Sequence, residues 1–340
     1  MTGSPKIKDI AERLGVSPAT VSRALSGSGL VAEPTLSRIR EAAQAMNYRP
    51  NVSARNLRTR RSMTVLMVVR DIGNPFYLEV MKGVERTARD AGYSVLMGNS
   101  EDDAERENGY FDMLRDGHAD GMILMTGQLP PRMQGHRRIP AGLPVVVALE
   151  LIQGSDLPHV QIDNVAAARD AVRHLIELGH RRIAHITGPA HEAMSNLRQQ
   201  GYRLAMSEAG LEVPPPYEQC GDYHVHAARS VCSALFDLAA PPTAIFCAND
   251  EMAFGAIHEL RRRKLDVPND VSVVGFDDIY LSEAFFPSLT TVSQPRAEIG
   301  RAAISVLLDI IGGGHPPADP LVLPTQLQIR GTTARCANLQ

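Results

Sequence analysis

Ile7-Lys8-Asp9-Ile10-Ala11-Glu12-Arg13-Leu14-Gly15-Val16-Ser17-Pro18-Ala19-Thr20-Val21-Ser22-Arg23-Ala24-Leu25 reads as two short helices around a tight turn. Ile10, Ala11 and Leu14 repeat at helical intervals, and Gly15 supplies the left-handed residue that stops the first helix. Ser17 before Pro18 is an N-cap followed by proline at the first helical position. Val21, Ala24 and Leu25 then face back onto the first helix, leaving Pro18, Ala19, Ser22 and Arg23 outward. A third helix fits Pro34 to Met46, with Leu36, Ile39, Ala42, Ala43 and Met46 on one face. Residues 1–49 therefore form a three-helix head of helix-turn-helix type, the kind of unit that lays its second helix in a DNA major groove.

Charge agrees with this assignment. Residues 1–61 carry eleven Lys or Arg against four acids, a net of +7, while the remainder holds 24 against 34 and stands at −10. A basic head on an acidic body suits phosphate contact by the head alone. Residues 50–62 are too polar and too short to build a core and form a linker with helical potential.

From residue 63 to 340 the texture changes. Val65–Val69, Ser94–Met97, Gly121–Met125, Val145–Leu149, Ile183–Thr187, Thr243–Cys247 and Val271–Gly275 are strand candidates. Helical patterns lie between most of them: Tyr77–Ala91, Glu105–Arg115, Val165–Leu178, Asn196–Ala209, Ala227–Leu238 and Glu251–Arg263. Such alternation predicts doubly wound α/β structure, parallel sheets covered by helices. The series restarts near Asp163, so two similar lobes are expected, with a ligand cleft where they meet beyond the carboxyl ends of the strands.

At 340 residues and 44% hydrophobic content the chain has ample material for packed cores. The longest apolar stretch, Leu143 to Ile152, is interrupted by Pro144 and Glu150 and falls short of the ~18 residues of a membrane span. The N-terminal charges run straight into an amphipathic helix rather than a signal pattern, so a cytoplasmic protein is expected. Cys220, Cys232, Cys247 and Cys336 share no metal or disulfide spacing, and His224-Val225-His226 has no nearby third ligand. Gly312-Gly313-Gly314 reads as a turn without a phosphate-loop continuation. No catalytic motif is present either. No metal, cofactor or enzymatic activity is expected.

Several separate motifs occur in order: Ile7-Lys8-Asp9-Ile10-Ala11, Val16 to Leu25, Asn47-Tyr48-Arg49-Pro50-Asn51, Asn74-Pro75-Phe76-Tyr77, Ile162-Asp163-Asn164, Gly179-His180-Arg181-Arg182-Ile183, Asn249-Asp250, Val274-Gly275-Phe276-Asp277-Asp278 and Leu289-Thr290-Thr291-Val292. With them the chain resembles the LacI/GalR family of bacterial transcriptional regulators from Ile7 to about Thr333. Within the family, Leu129-Pro130, Gln161 to Asn164, Ile245-Phe246-Cys247 and Gln294 to Arg301 look most like its cytidine-responsive members. The resemblance implies a helix-turn-helix head, a hinge helix over 50–62 and a two-lobed, periplasmic-binding-protein-like effector and dimerisation domain over 63–340.

It also assigns roles. Arg23 is the candidate for bidentate readout of guanine, against a plain phosphate contact. Pro18 and Ala19 match positions that read neighbouring bases but carry no side-chain hydrogen bonds. Ser17, Thr20, Ser22, Asn51 and the Arg58 to Arg61 run suit phosphate. Leu57 resembles the family's hinge leucine, an apolar wedge for a minor-groove step, with Ala54, Arg55, Asn56 and Arg58 around it; the other reading packs Leu57 on the core. Two wedges imply a homodimer on a near-palindromic, double-stranded operator. The C-terminus has no heptad tail, so a dimer is expected rather than a tetramer.

Arg198, Asn249 and Asp277 match the family's effector positions, a donor fork, an amide and a carboxylate that suit paired hydroxyls. Asp277 could equally form a turn beside Asp278, and Asn249 could cap the following helix. Phe76, Tyr77 and Tyr223 stand where relatives hold aromatics near the ligand, with core packing the other role for Phe76. Glu150 and Asp163 follow strands and could line the pocket, though Asp163-Asn164 also reads as a helix start. Glu192 and Met194 replace what purine-responsive relatives carry, which argues against a purine base. The expected function is a repressor answering to a nucleoside of cytidine type, or else to a pentose or other sugar. An enzyme with a DNA-binding head and an architectural DNA binder without an effector are the competing classes.

Overall fold

The computed structural model describes residues 5–25, 29–48, 61–130, 143–152 and 154–337, and the chain divides into two compact units, Met1–Ser62 and Met63–Gln340. In the first unit, helices α1 (Ile7–Leu14), α2 (Pro18–Leu25) and α3 (Glu33–Ala45) enclose Ile10, Ala11, Val21, Ala24, Ile39, Ala42 and Ala43. Gly15 ends α1 in the left-handed conformation at φ +66°. Thr20 N donates to Ser17 Oγ at 3.1 Å, the N-cap that starts α2. Of the three residues expected to face α1, Val21 and Ala24 are buried and Leu25 half-buried.

The second unit holds two six-stranded sheets. In chain order its elements are β1 (Thr64–Val69), α4 (Phe76–Asp90), β2 (Ser94–Asn99), α5 (Ala104–Arg115), β3 (Gly121–Met125), β4 (Val145–Ala148) and β5 (His159–Ile162). They are followed by α6 (Asn164–Glu177), β6 (Ile183–Thr187), α7 (Ala193–Glu208), β7 (Glu218–Cys220), α8 (Val225–Phe236), β8 (Ala244–Cys247) and α9 (Asp250–Arg262). Last come β9 (Ser272–Asp277), α10 (Leu281–Ala284), β10 (Thr290–Ser293), α11 (Arg296–Ile311), β11 (Leu321–Leu323) and β12 (Gln326–Gln328). The sheet orders are β11-β5-β4-β3-β1-β2 and β12-β10-β9-β8-β6-β7, so the two lobes repeat one winding. All pairings are parallel except β10 with β12. The central strands are buried along nearly their whole length, as a sheet covered on both faces demands.

The two expected lobes are present, and the chain changes lobe at Asp163 as anticipated, but they are not arranged in series. The chain crosses back at Gln294-Pro295, placing α11 against α4 and the first sheet, and crosses again between β11 and β12. Sequence reasoning assigns no helix after Gly275, although Pro295 followed by Ile299, Ala303, Ile304 and Leu307 marks α11. The three-residue strands β7, β11 and β12 are too short to carry a period and exist because a neighbour pairs with them.

Glycines set the helix–helix distances. A Cβ on Gly83 of α4 would lie 2.1 Å from Ala297 O, and one on Gly300 of α11 would lie 2.1 Å from Val80 O. In the other lobe, Gly201 of α7 meets Val165 O and Gly255 of α9 meets Val225 O in the same way. The cations at Arg261 to Lys264 close α9: Arg262 and Arg263 pair with buried Glu259, and Arg261 donates to Phe286 O. Among the described residues no helix is long and apolar enough to cross a membrane.

Candidate functional site

In the head, Ser17, Pro18, Ala19 and Arg23 are exposed, and Thr20 and Ser22 half-buried. The Ser17 and Thr20 hydroxyls lie 2.8 Å apart and serve the cap, so part of the bonding capacity expected for phosphate is spent within the helix. Asn51, Ala54, Arg55, Leu57 and Arg58 lie outside the described residues.

In the second unit, a cleft of about 340 Å³ opens where the strands of both lobes end. The first lobe contributes Arg70 and Asn74 after β1, Phe76 and Tyr77 at the start of α4, Asp102 after β2, Met125 from β3, and Leu149 and Glu150 after β4. The second contributes Met194 and Arg198 from α7, Tyr223 after β7, Asn249 after β8 and Asp277 at the end of β9, with Gln294 on the crossover. Carboxyl ends of parallel strands meet at this point because neither winding covers them, and helix N-termini aim inward there. All of the expected effector residues line the cleft except Asp163. That residue is exposed, and its side chain accepts from Ala166 N at 2.9 Å, so it caps α6 and the helix-start reading holds.

Arg198 is buried on the Phe276 ring, its guanidinium carbon 3.8 Å from the centroid. Its Nε donates to Asn164 Oδ1 at 2.9 Å and its Nη1 to Ala248 O at 2.5 Å. Nη1 also lies 3.7 Å from Asp277 Oδ1. Asp277 accepts from Gln294 Nε2 at 2.7 Å, and Gln294 Oε1 is buried with no partner among the described residues. Burial lifts the Asp277 carboxyl above the usual carboxylate range, with Arg198 and Arg296 pulling the other way. Asn249 fills both of its alternatives: its Oδ1 accepts from Met252 N at 2.9 Å as the cap of α9, and its Nδ2 donates to Tyr223 O at 3.1 Å while facing the cleft.

The aromatic residues come from both lobes. Phe76 and Tyr77 meet edge-on at 5.5 Å between centroids, so Phe76 both packs in the core and lines the cleft. Tyr223 lies against Gly188, where a Cβ would fall 2.2 Å from its ring. Burial pushes the Tyr223 hydroxyl up to about 12 and that of Tyr77 upward as well. Sequence reasoning misses Arg70, Asp102 and Gln294. Arg70 donates from Nε to Asp102 at 2.7 Å and pairs with Glu192 of the opposite lobe. The signal available for these three was position, each standing just after a strand. His224 precedes α8 at the rim, and His226 is exposed within that helix.

A helix-turn-helix joined to a two-lobed body with a polar, aromatic-lined cleft defines a transcriptional regulator. The model of bacterial regulatory proteins of the lacI family matches residues 6–51, and that of the periplasmic binding protein-like domain matches residues 172–333. The chain is 40% identical over 329 residues to the HTH-type transcriptional repressor CytR of Escherichia coli K12, covering 96% of each. It is 35% identical to the ribose operon repressor of the same strain, covering 95% of this chain and 96% of the relative. The crystal structure of the lac repressor dimer bound to operator and the anti-inducer ONPF superposes with a TM-score of 0.84 at 25% identity, covering 98% of this chain and 100% of the other. The chain belongs to the LacI family and is a transcriptional repressor of that family.

Proposed function

We propose that this repressor binds a near-palindromic operator as a dimer and that a nucleoside of cytidine type, held in the cleft between the lobes, sets its DNA affinity. The observation that carries the ligand class is the division of the cleft. Arg198, Asn249, Asp277 and Gln294 present donors and acceptors suited to ribose hydroxyls, while Phe76 and Tyr77 with Met125 and Leu149 offer faces for a flat base. The 40% identity to a repressor named CytR supports this reading. A ligand changes DNA affinity only through different affinities for two arrangements of the body, and a cleft between lobes joined by three crossovers is where such a difference arises.

A dimer is supported by the lac repressor dimer to which the fold is similar. The free edge of strand β2, where Leu96 is 45% and Met97 38% exposed, is the apolar surface offered to a second copy. The likeness to the ribose operon repressor favours a second reading, a pentose on the polar half of the cleft alone. Calorimetric titration of the full-length protein with cytidine, paired with ribose, separates the two. Saturable heat with cytidine and none with ribose supports the nucleoside; heat with ribose alone replaces it with the pentose.

A further inference from the structure

Among the described residues no hydrogen bond or ion pair engages the carboxylate of Glu150, which lines the cleft. Asp277 has Gln294, and Asp102 and Glu192 share Arg70. Both nearby guanidiniums are committed elsewhere, Arg198 to Asn164 and Ala248 and Arg70 to its two acids. The side chain is nevertheless seated. Gly127, in the left-handed region at φ +71°, lies directly beneath it, and a Cβ there would fall 2.9 Å from Glu150 Oε2. Burial pushes the Glu150 carboxyl up to about 7. A group desolvated in this way is costly unless the ligand supplies hydrogen-bond donors to it.

We infer that Glu150 is the specificity-determining residue for the base, selecting a pyrimidine that carries an exocyclic amino group over one that carries a carbonyl at the same place. This rests on the nucleoside reading and adds to it which edge of the base is read. With the sugar on the polar side chains of the second lobe, the base falls to the first lobe, where Glu150 stands beside Tyr77 and Leu149. The cytosine amino group donates to the carboxylate. In uracil the corresponding carbonyl sets acceptor against acceptor wherever the carboxyl is ionised, leaving Glu150 unpaired.

The test is calorimetry of cytidine and uridine at about pH 8, where the carboxylate form prevails, with the full-length protein and with Glu150→Gln. The amide of that variant keeps the shape of the side chain and offers both a donor and an acceptor. The wild type is expected to prefer cytidine by about tenfold or more, and Glu150→Gln to narrow the preference to about threefold or less. Asp277→Asn serves as the control and should weaken both nucleosides alike. A circular dichroism melt of Glu150→Gln close to the wild type's ensures that a folded protein is being compared. Equal wild-type affinities, or an undiminished preference in Glu150→Gln, would overturn the assignment and leave the nucleoside reading standing. Absence of binding by either nucleoside to the wild type would remove that reading and this assignment together.

Discussion

Asp277 holds its carboxylate in the cleft at a backbone cost, since its φ is +119° and that of Asp278 is +54°, conformations worth about 1–3 kcal/mol of strain in residues other than glycine. The surroundings hold this turn in place. Asp250 accepts from Ile279 N and Ser282 Oγ, Arg330 pairs with Asp278 at 2.7 Å, and Gln294 bonds Asp277 itself. Asp277→Ala removes the acceptor and leaves the Arg198 charge buried. Effector affinity should fall by about a hundredfold or more while DNA binding by the head persists, measured by calorimetry and by electrophoretic mobility shift. His185 allows a test by pH. It is fully buried, stacks on Phe246 at 4.8 Å, donates from Nδ1 to Phe246 O, and burial lowers its pKa to about 4. The folded pKa lies below the ordinary one, so the unfolded chain binds the proton more readily. The stability is whole above about pH 6.5 and drains as pH falls toward about 4, with about 2 kcal/mol lost between about pH 7 and about pH 5. Urea midpoints at those two pH values should therefore differ less in His185→Phe than in the wild type, and an unchanged difference would exclude His185 as the cause.

At the scale of elements, the close helix pairs carry the most specific expectation. A methyl on Gly300 would meet Val80 O, so α4 and α11 must part, and Gly300→Ala should cost about 1–3 kcal/mol in chemical denaturation. If Leu57 is a wedge, Leu57→Ala should weaken specific operator binding about tenfold to a hundredfold while sparing non-specific binding, read as the ratio of the two affinities at one salt concentration. Much of this layer was legible in the sequence. Gly15, Ser17 and Pro18 bound their helices by local chemistry, and the apolar runs of the central strands announce burial on both faces. What was not legible is what neighbours impose. Leu321, Val322 and Leu323 form a strand because β5 lies beside them. Asp163 caps a helix rather than entering the cleft because the chain changes lobe at that residue.

For the whole molecule, the second copy is the expectation to test first. Leu96→Glu places a charge on the free edge of β2 and should yield a monomer in analytical ultracentrifugation, with specific operator affinity lost along with the dimer. A dimer that survives the change would move the interface to another face. Ligand binding is expected to act on the second unit as a body, raising its unfolding midpoint through a gain in unfolding free energy of about 2.7 kcal/mol at a hundredfold excess over the dissociation constant.

The sequence by itself determined the helix-turn-helix, the doubly wound repeat and several of the side chains that reach the cleft. The first two follow from periodicities and caps that lie close together along the chain, and the cleft side chains mostly from the resemblance to the LacI/GalR family. The tertiary structure alone decided that the lobes interleave through three crossovers, that Arg70 of one lobe pairs with Glu192 of the other, and that Gln294 reaches the cleft, bonded to Asp277 through Nε2 and with Oε1 lacking a partner among the described residues. Those facts depend on which distant segments meet, and a contact between residues far apart in the chain leaves no local pattern from which to read it.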